Sequence, residues 1–163
     1  MLHIEIPGQP PLTLRHLVSD LNGTLAVDGV LLSGVASRLA RLSASLAVHI
    51  VTAGTHGGLE LATAEVAVAC AAADFTAPHW VRIASGADKA RYVTDLDADG
   101  VVALGNGAND VPMFRLARLS IAVLGGEGAQ AQTLAAAHIV TTSPLAALDL
   151  LLHPARLVAT LRS

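Results

Sequence analysis

Three short apolar runs in this chain each end in polar residues. The first ends in Asp20, the second in Thr52, and the third in a turn that leads to Asp110. Near-continuous apolar runs are typical of parallel strands that are covered on both faces, and open α/β sheets bind ligands beyond the carboxyl ends of their strands. The pattern therefore predicts a parallel sheet with a polar site along one edge.

Helical patterns separate the apolar runs. Val35, Leu39 and Leu42 recur at helical spacing, and Ser85 is a typical N-cap for a later helix. Further helices are predicted at residues 56–73, 111–117 and 127–136 and from Pro144 and Pro154, and further strands at residues 80–83, 121–124 and 138–142. The alternation predicts an α/β fold with a three-layer, doubly wound parallel sheet.

Two short hairpins are predicted beside the sheet. Residues 2–6 alternate apolar and polar side chains, and a Pro-rich turn separates them from residues 12–18, which lead into the strand of Asp20. The Asp28-Gly29 dipeptide between apolar flanks is typical of a second hairpin. We call this second one the flap hairpin, because it follows Asp20 closely in the sequence and could cover it.

Composition and charge narrow the function classes. A length of 163 residues favours one domain, residues 1–163, and 53% apolar with 2% aromatic residues predicts an aliphatic core. A net charge of −3 provides no basic field for nucleic acid, and no uncharged apolar segment reaches the ~18 residues of a membrane span. The lone Cys70 and the absence of a signal-peptide pattern at the N-terminus predict a cytoplasmic protein.

Lys89, near the start of a predicted helix, completes a set of polar groups with Asp20, Thr52 and Asp110. A hard cation such as Mg2+ takes carboxylate, carbonyl and phosphate oxygens as ligands. A lysine and a hydroxyl can hold phosphate oxygens, and an aspartate can attack phosphorus to give an acyl-phosphate. The set therefore indicates phosphoryl transfer.

Residues 20–25, Asp-Leu-Asn-Gly-Thr-Leu, resemble the first motif of the haloacid dehalogenase superfamily, which reads Asp-x-Asp-Gly-Thr in its phosphatases. Thr52, Lys89 and residues 105–110, Gly-Asn-Gly-Ala-Asn-Asp, resemble the next three motifs in their family order. The last is similar to the Gly-Asp-Gly-x-Asn-Asp of P-type ATPases, and the whole match resembles the small soluble proteins called P-type ATPase-like. The resemblance implies a Mg2+-dependent phosphohydrolase that acts on a phosphorylated small molecule.

The resemblance also implies a role for each matching residue. Asp20 would be the nucleophile, Thr52 and Lys89 would hold the phosphate, and Lys89 would balance the charge of Asp20. The implied metal ligands, direct or through water, are Asp20, the backbone carbonyl of Asn22, Asn106 and Asp110. The implied phosphate-binding residues are Asn22, Gly23, Thr52, Ala53, Lys89 and Asn109.

Two residues depart from the family pattern. Asn22 stands where the phosphatases have an Asp that protonates the leaving group and later activates water, and an amide cannot exchange protons in this way near neutral pH. Asn106 stands where the fourth motif usually has an Asp, so the metal site would carry less charge. We therefore expect a preference for good leaving groups, or slow turnover with a long-lived phospho-Asp20.

The family's cap domains have no room in this sequence. Only 31 residues separate Asp20 from Thr52, and 36 separate Thr52 from Lys89. Both gaps are filled by the elements that the fold itself needs. A capless site could be covered by the flap hairpin or by a neighbouring subunit, so we expect a homo-oligomer.

Two other function classes stay open. The chain could be a binding or regulatory module that has lost turnover through Asn22 and Asn106, or a phospho-accepting receiver, which also uses Asp, Thr and Lys in this order. A receiver carries an acidic pair early in the chain, whereas only Glu5 precedes Asp20 as an acid. Activity that is lost in Asp20→Asn would separate an enzyme from a binding module.

Several candidate residues also have plainer interpretations. Asp20 and Thr52 could be loop or helix-cap residues, Lys89 could be a solvated charge with Arg82 and Arg91 as competitors, and Asn109 could stabilise its turn. His49 is expected to be a core or interface histidine and His56 to lie at a helix start, although both flank Thr52. The glycine-rich residues 125–128 lack P-loop and dinucleotide spacing, so we interpret them as a strand-to-helix turn.

Overall fold

The apolar runs form one six-stranded sheet in the computed structural model, which describes residues 1–53, 59–83 and 85–162. The strands, in chain order, are β1 (Leu2–Ile4), β2 (Leu12–Leu14), β3 (His16–Asp20), β4 (Ala26–Val27), β5 (Val30–Leu31), β6 (Ala47–Thr52), β7 (His79–Arg82), β8 (Val101–Gly105), β9 (Leu119–Val123) and β10 (Ile139–Thr141). The sheet has the order β10-β9-β8-β3-β6-β7, and all of its neighbouring pairs are parallel.

This strand order places Asp20 at the point where the order of strand addition reverses. The chain leaves β3 and builds β6 and β7 on one side, and then builds β8, β9 and β10 on the other. Ligands of open α/β sheets bind at such a switch point. The fold therefore puts the carboxyl end of β3, with Asp20, in the crevice where a ligand is expected.

Helices cover both faces of the sheet. They are α1 (Val35–Ser43), α2 (Leu59–Ala72), α3 (Gly86–Asp95), α4 (Val111–Leu116), α5 (Ala131–Ala136), α6 (Pro144–Leu152) and α7 (Pro154–Leu161), with 3-10 turns at Ala98–Gly100 and Ala108–Asp110. Val35, Val66 and Leu157 belong to one core on the side of α1, α2 and α7. Val93 and Phe114 belong to a second core on the side of α3 and α4. The doubly wound, three-layer α/β fold is confirmed.

Both predicted hairpins are present. β1 and β2 pair antiparallel, as do β4 and β5 of the flap hairpin. Asp28 and Gly29 have φ angles of 51° and 78°, which is the left-handed geometry of a tight two-residue turn. The first hairpin ends earlier than predicted, since β2 stops at Leu14 and β3 is a separate strand of the main sheet.

The predicted helix at residues 127–136 was too long. Gly128 has a φ of 79° and donates its N–H to the Gly125 carbonyl at 3.0 Å, so these residues form a tight turn. Helix α5 begins only at Ala131, with the Gln130 side chain accepting from the Thr133 N–H. Helix α2 is described from Leu59, so the predicted start near His56 lies outside the described residues.

His49 is a core histidine, as expected. It is 5% exposed, and its ring nitrogens lie 3.1 Å from His16 Nδ1 and 2.9 Å from the Tyr92 hydroxyl. Burial, with His16 and His79 nearby, lowers the pKa of His49 to about 4. The ring is therefore neutral at physiological pH and is satisfied by its neighbours.

Membrane-spanning length is not reached by any single helix in the described ranges. The pair α6 and α7 meets the length and composition criteria only when taken together, and the two helices are bent by 102° at their junction.

Candidate functional site

Asp20 ends the central strand β3 and is followed by a tight turn. Gly23 has a φ of 75°, and its N–H donates to the Ala26 carbonyl at 2.8 Å, while the Leu25 N–H donates to the Leu21 carbonyl at 2.8 Å. A φ in this range favours glycine. The turn directs the chain out of the sheet immediately after Asp20, so that its carboxyl group is at the sheet edge with 8% exposure.

Lys89 reaches Asp20 from helix α3. The helix begins behind Ser85, whose side chain accepts from the Asp88 N–H, and it starts close to the neighbouring loop, since a Cβ on Gly86 would lie 2.7 Å from the Asn109 carbonyl oxygen. Lys89 is fully buried. Its Nζ donates to Asp20 Oδ1 at 2.6 Å and to Asp110 Oδ1 at 2.7 Å. One ammonium group therefore bridges two carboxylates that come from different strand ends.

Asp110 is held on both of its oxygens. Oδ1 accepts from Lys89, and Oδ2 accepts the N–H groups of Asn106 at 3.0 Å and Gly107 at 2.9 Å. Gly105 allows this contact, because a Cβ there would collide with the Asp110 carboxylate. Asp110 is completely buried, and its contacts make it the residue that shapes the loop after β8 and orients Lys89.

The three charged groups leave the site with a net negative charge. Two carboxylates and one ammonium sum to about −1 in a buried place. Burial, followed by the nearby charge of Asp110, raises the pKa of Asp20 from 3.8 to about 6, and Lys89 opposes this rise only in part. Burial disfavours the charged form of Lys89, but the two carboxylates outweigh it and raise the pKa of Lys89 overall. The site therefore favours an added cation.

Thr52 and Asn22 lie together beside Asp20. Thr52 ends β6, which pairs directly with β3, and it is 2% exposed. Asn22 Nδ2 lies 3.5 Å from Thr52 Oγ1, at the limit of hydrogen-bonding distance. The structure therefore brings the predicted hydroxyl next to Asn22.

Asn106 is surrounded by protein groups in a way that the sequence did not indicate. Its Oδ1 accepts from Thr24 Oγ1 at 3.1 Å, and its Nδ2 donates to the Gly128 carbonyl at 3.1 Å. The sequence marked Thr24 only as a hydroxyl in the first motif and Gly128 only as part of a turn. Their shared partner could not be read from spacing, because they lie on three different loops.

Two predicted phosphate-binding residues lie at the rim. Asn109 is exposed, and its side-chain Oδ1 lies close to Gly107 in the same turn, since a Cβ on Gly107 would be 2.8 Å from it. Ala53 is exposed directly after β6. His56, which flanks Thr52 and could be interpreted as a general base, lies outside the described residues.

The oxygen atoms of the site suit a hard cation, which they would bind with modest affinity. Mg2+ commonly binds one or two carboxylates and completes its shell with water and substrate phosphate. Asp20 offers a carboxylate, the Asn22 backbone a carbonyl, and Asn106 an amide oxygen. Across the described ranges, no cluster of three or more His, Cys, Asp or Glu side chains could hold a metal ion. The donor types fit Mg2+, with less negative charge than a site of three carboxylates.

Comparison of the sequence with models of protein families gives one match. A family model described as haloacid dehalogenase-like hydrolase matches residues 83–145. Over 62 residues, 38% of this chain, the sequence is 45% identical to an uncharacterized protein of Methanocaldococcus jannaschii and covers 67% of it.

Comparisons with solved structures agree on the fold. The 3-deoxy-D-manno-octulosonate 8-phosphate phosphatase of Moraxella catarrhalis, solved with magnesium, phosphate and its sugar acid, has a TM-score of 0.64 at 16% identity, over 91% of this chain and 94% of that one. The D,D-heptose 1,7-bisphosphate phosphatase of Burkholderia thailandensis has a TM-score of 0.59 at 23% identity, over 85% of this chain and 99% of that one. At these identities the likeness concerns the fold.

Proposed function

The chain belongs to the haloacid dehalogenase superfamily, and on that premise we propose that it is a Mg2+-dependent phosphohydrolase that works through an aspartyl-phosphate on Asp20. The observation that carries the proposal is the bridge from Lys89 Nζ to Asp20 and Asp110, at 2.6 and 2.7 Å. It stands at the switch point of the sheet, where this fold binds its ligands. The buried Lys89 ammonium would offset the negative charges of Asp20, Asp110 and a bound phosphoryl group.

The proposed chemistry uses the two oxygens of the Asp20 carboxylate differently. Lys89 holds Asp20 Oδ1, and we assign the attack on phosphorus to the other oxygen, Oδ2. An oxygen–phosphorus bond forms, the bond from phosphorus to the leaving oxygen breaks, and the leaving group takes that electron pair. Water then hydrolyses the acyl-phosphate and regenerates the Asp20 carboxylate. In this proposal Thr52 and Lys89 hold phosphate oxygens in both steps.

A divalent cation is part of this proposal. Asp20, the Asn22 carbonyl and Asn106 would hold it, with Asp110 acting through water or through Lys89. The cation supplies positive charge for the phosphate oxygens. The solved phosphatase of Moraxella catarrhalis contains magnesium and phosphate, which supports the same class of cofactor and a phosphorylated small molecule as substrate.

Asn22 sets the kind of substrate. Its amide cannot donate a proton to the departing oxygen, a step that is commonly worth about 10²–10⁴-fold in rate. An acyl or aryl phosphate releases a stable anion and needs little protonation, whereas an alkyl phosphate needs it most. The proposed activity is therefore directed at good leaving groups.

A comparison of three substrates tests this proposal. With Mg2+, we expect acetyl phosphate and an aryl phosphate to be hydrolysed at least about 100-fold faster than an alkyl phosphate. Asp20→Asn serves as the blank and should release no phosphate above background. Equal rates for all three substrates would contradict the leaving-group account, and activity that persists in Asp20→Asn would contradict the role of Asp20.

A second candidate function rests on Asn22 and Asn106 together. Both replace charged groups of the family pattern, which is what a binding or regulatory module that has lost turnover would show. This candidate predicts that the wild type and Asp20→Asn release phosphate equally slowly from all three substrates.

Three broader features are also proposals. We propose that residues 1–163 act as one domain, since the sheet uses strands from His16 to Thr141. We propose a homo-oligomer, because a capless site gains cover from a neighbouring subunit. We propose a cytoplasmic location, because the single cysteine, Cys70, is buried and cannot form a disulfide within the chain.

A further inference from the structure

The Asn106 side chain connects two segments that flank the site. It accepts from Thr24 in the turn after β3 and donates to the Gly128 carbonyl in the turn before α5, both at 3.1 Å. It also lies directly on Gly23, where a Cβ would come within 2.9 Å of the Asn106 Cγ. Asn106 therefore ties the turn of the nucleophile to the glycine-rich turn at residues 125–128.

The glycine-rich turn at residues 125–128 also contacts the flap hairpin. Glu127 Oε1 accepts the backbone N–H of Asp28, at the tip of the hairpin, at 2.8 Å. A Cβ on Gly126 would lie 3.3 Å from Val27 Cγ2, so the backbone at Gly126 packs closely against the Val27 side chain. A continuous path of contacts thus runs from Asn106 through this turn to the hairpin.

We propose that Asn106 is a positioning residue that fixes the flap hairpin beside the site, and that an amide is needed in this place. The Gly128 carbonyl can only accept a hydrogen bond, and the Asn106 Nδ2 supplies the donor. An Asp would bring a carboxylate oxygen to that carbonyl instead, with no donor between them. The chain therefore has an amide where the family has a carboxylate because the hairpin, and not only the cation, depends on this side chain.

This inference rests on the proposed function only in treating Asp20 as the phosphate site. The link itself is a property of the folded protein without substrate. Glu127 lies on the far side of the path and belongs to neither the proposed metal ligands nor the phosphate-binding set. Its replacement therefore tests the link without touching the chemistry.

Hydrogen–deuterium exchange of residues 26–31 tests the link. Asn106→Asp and Glu127→Ala are each expected to speed exchange of the hairpin amides by about 5- to 30-fold, since each removes one connecting hydrogen bond. Glu127→Gln keeps an acceptor oxygen and is the matched control, expected to stay within about two-fold of the wild type. If Asn106→Asp does not fold, Glu127→Ala carries the same test from the exposed side.

A thermal-shift titration with MgCl2 separates positioning from metal binding. Asn106→Asp adds a carboxylate and is expected to bind Mg2+ more tightly while its hairpin exchanges faster, and Glu127→Ala is expected to bind Mg2+ as the wild type does. The inference is overturned if Asn106→Asp changes only the Mg2+ response, or if Glu127→Ala leaves hairpin exchange unchanged. Both readouts need no substrate, so a failed phosphatase assay would not be mistaken for a failed link.

Discussion

Lys89→Met is expected to lower the free energy of unfolding by about 3–5 kcal/mol, because it leaves two buried carboxylates without their shared cation. In the wild type, Lys89 Nζ lies 2.6 Å from Asp20 and 2.7 Å from Asp110. Without it, the pKa of Asp20 rises further above its value of about 6. Chemical denaturation of the wild type and the variant in EDTA measures the loss.

The pH dependence of this loss has a definite sign. A carboxylate whose pKa is raised by folding contributes stability at low pH, and this contribution disappears as pH rises through the folded pKa. The deficit of Lys89→Met should therefore grow from pH 5 to pH 8. A deficit that is the same at both values would show that Lys89 acts through packing alone.

Asp20→Asn is the matched variant and should change stability in the opposite direction. The rise of the Asp20 pKa from 3.8 to about 6 corresponds to about 3 kcal/mol of unfavourable free energy when the group is ionised. An Asn at this position still offers an oxygen to Lys89 and removes the buried negative charge. We expect it to stabilise the metal-free protein at pH 8 and to have little effect near pH 4. In Lys89→Met it should restore part of the lost stability.

Asn22→Asp is expected to increase the hydrolysis of alkyl phosphates by about 10²–10⁴-fold, because it supplies the missing general acid and base. Asn22 Nδ2 lies 3.5 Å from Thr52 Oγ1, so an Asp in the same position would lie beside that hydroxyl. Steady-state phosphate release from an alkyl and an aryl phosphate measures the effect. The gain should be much smaller for the aryl ester.

Asn22→Ala is the control for this gain. It removes the same amide but provides no titratable group, so it should not accelerate the alkyl ester. A gain in Asn22→Ala that equals the gain in Asn22→Asp would mean that steric room, and not proton transfer, limits the wild type. No gain in Asn22→Asp would contradict the assignment of this position to the leaving group.

The sequence predicted the elements well where their signals are local. The apolar runs that end in Asp20 and Thr52 became neighbouring parallel strands, and the Asp28-Gly29 dipeptide became a tight turn with both φ angles positive. The helix at residues 127–136 failed because Gly128 adopts a positive φ, which no periodicity reveals. Local patterns indicate secondary structure, whereas a single glycine with a positive φ decides where this helix can begin.

The site was predictable as a set of residues but not as a network. The order of the motifs grouped Asp20, Lys89 and Asp110 as one candidate site. In the structure the three side chains are in direct contact. The partners of Asn106 were missed, because Thr24 and Gly128 are 82 and 22 residues away in the sequence. Hydrogen bonds between loops depend on tertiary placement, so the role of an amide in place of a carboxylate needs the structure.

The most direct measurement for the aspartyl-phosphate is the mass of the protein after incubation with acetyl phosphate and Mg2+ and rapid acid quenching. The proposed function predicts a fraction that is heavier by one phosphoryl group, on the peptide that contains Asp20, and none in Asp20→Asn. Phosphate release without this species in the wild type, or the same added mass in Asp20→Asn, would contradict it.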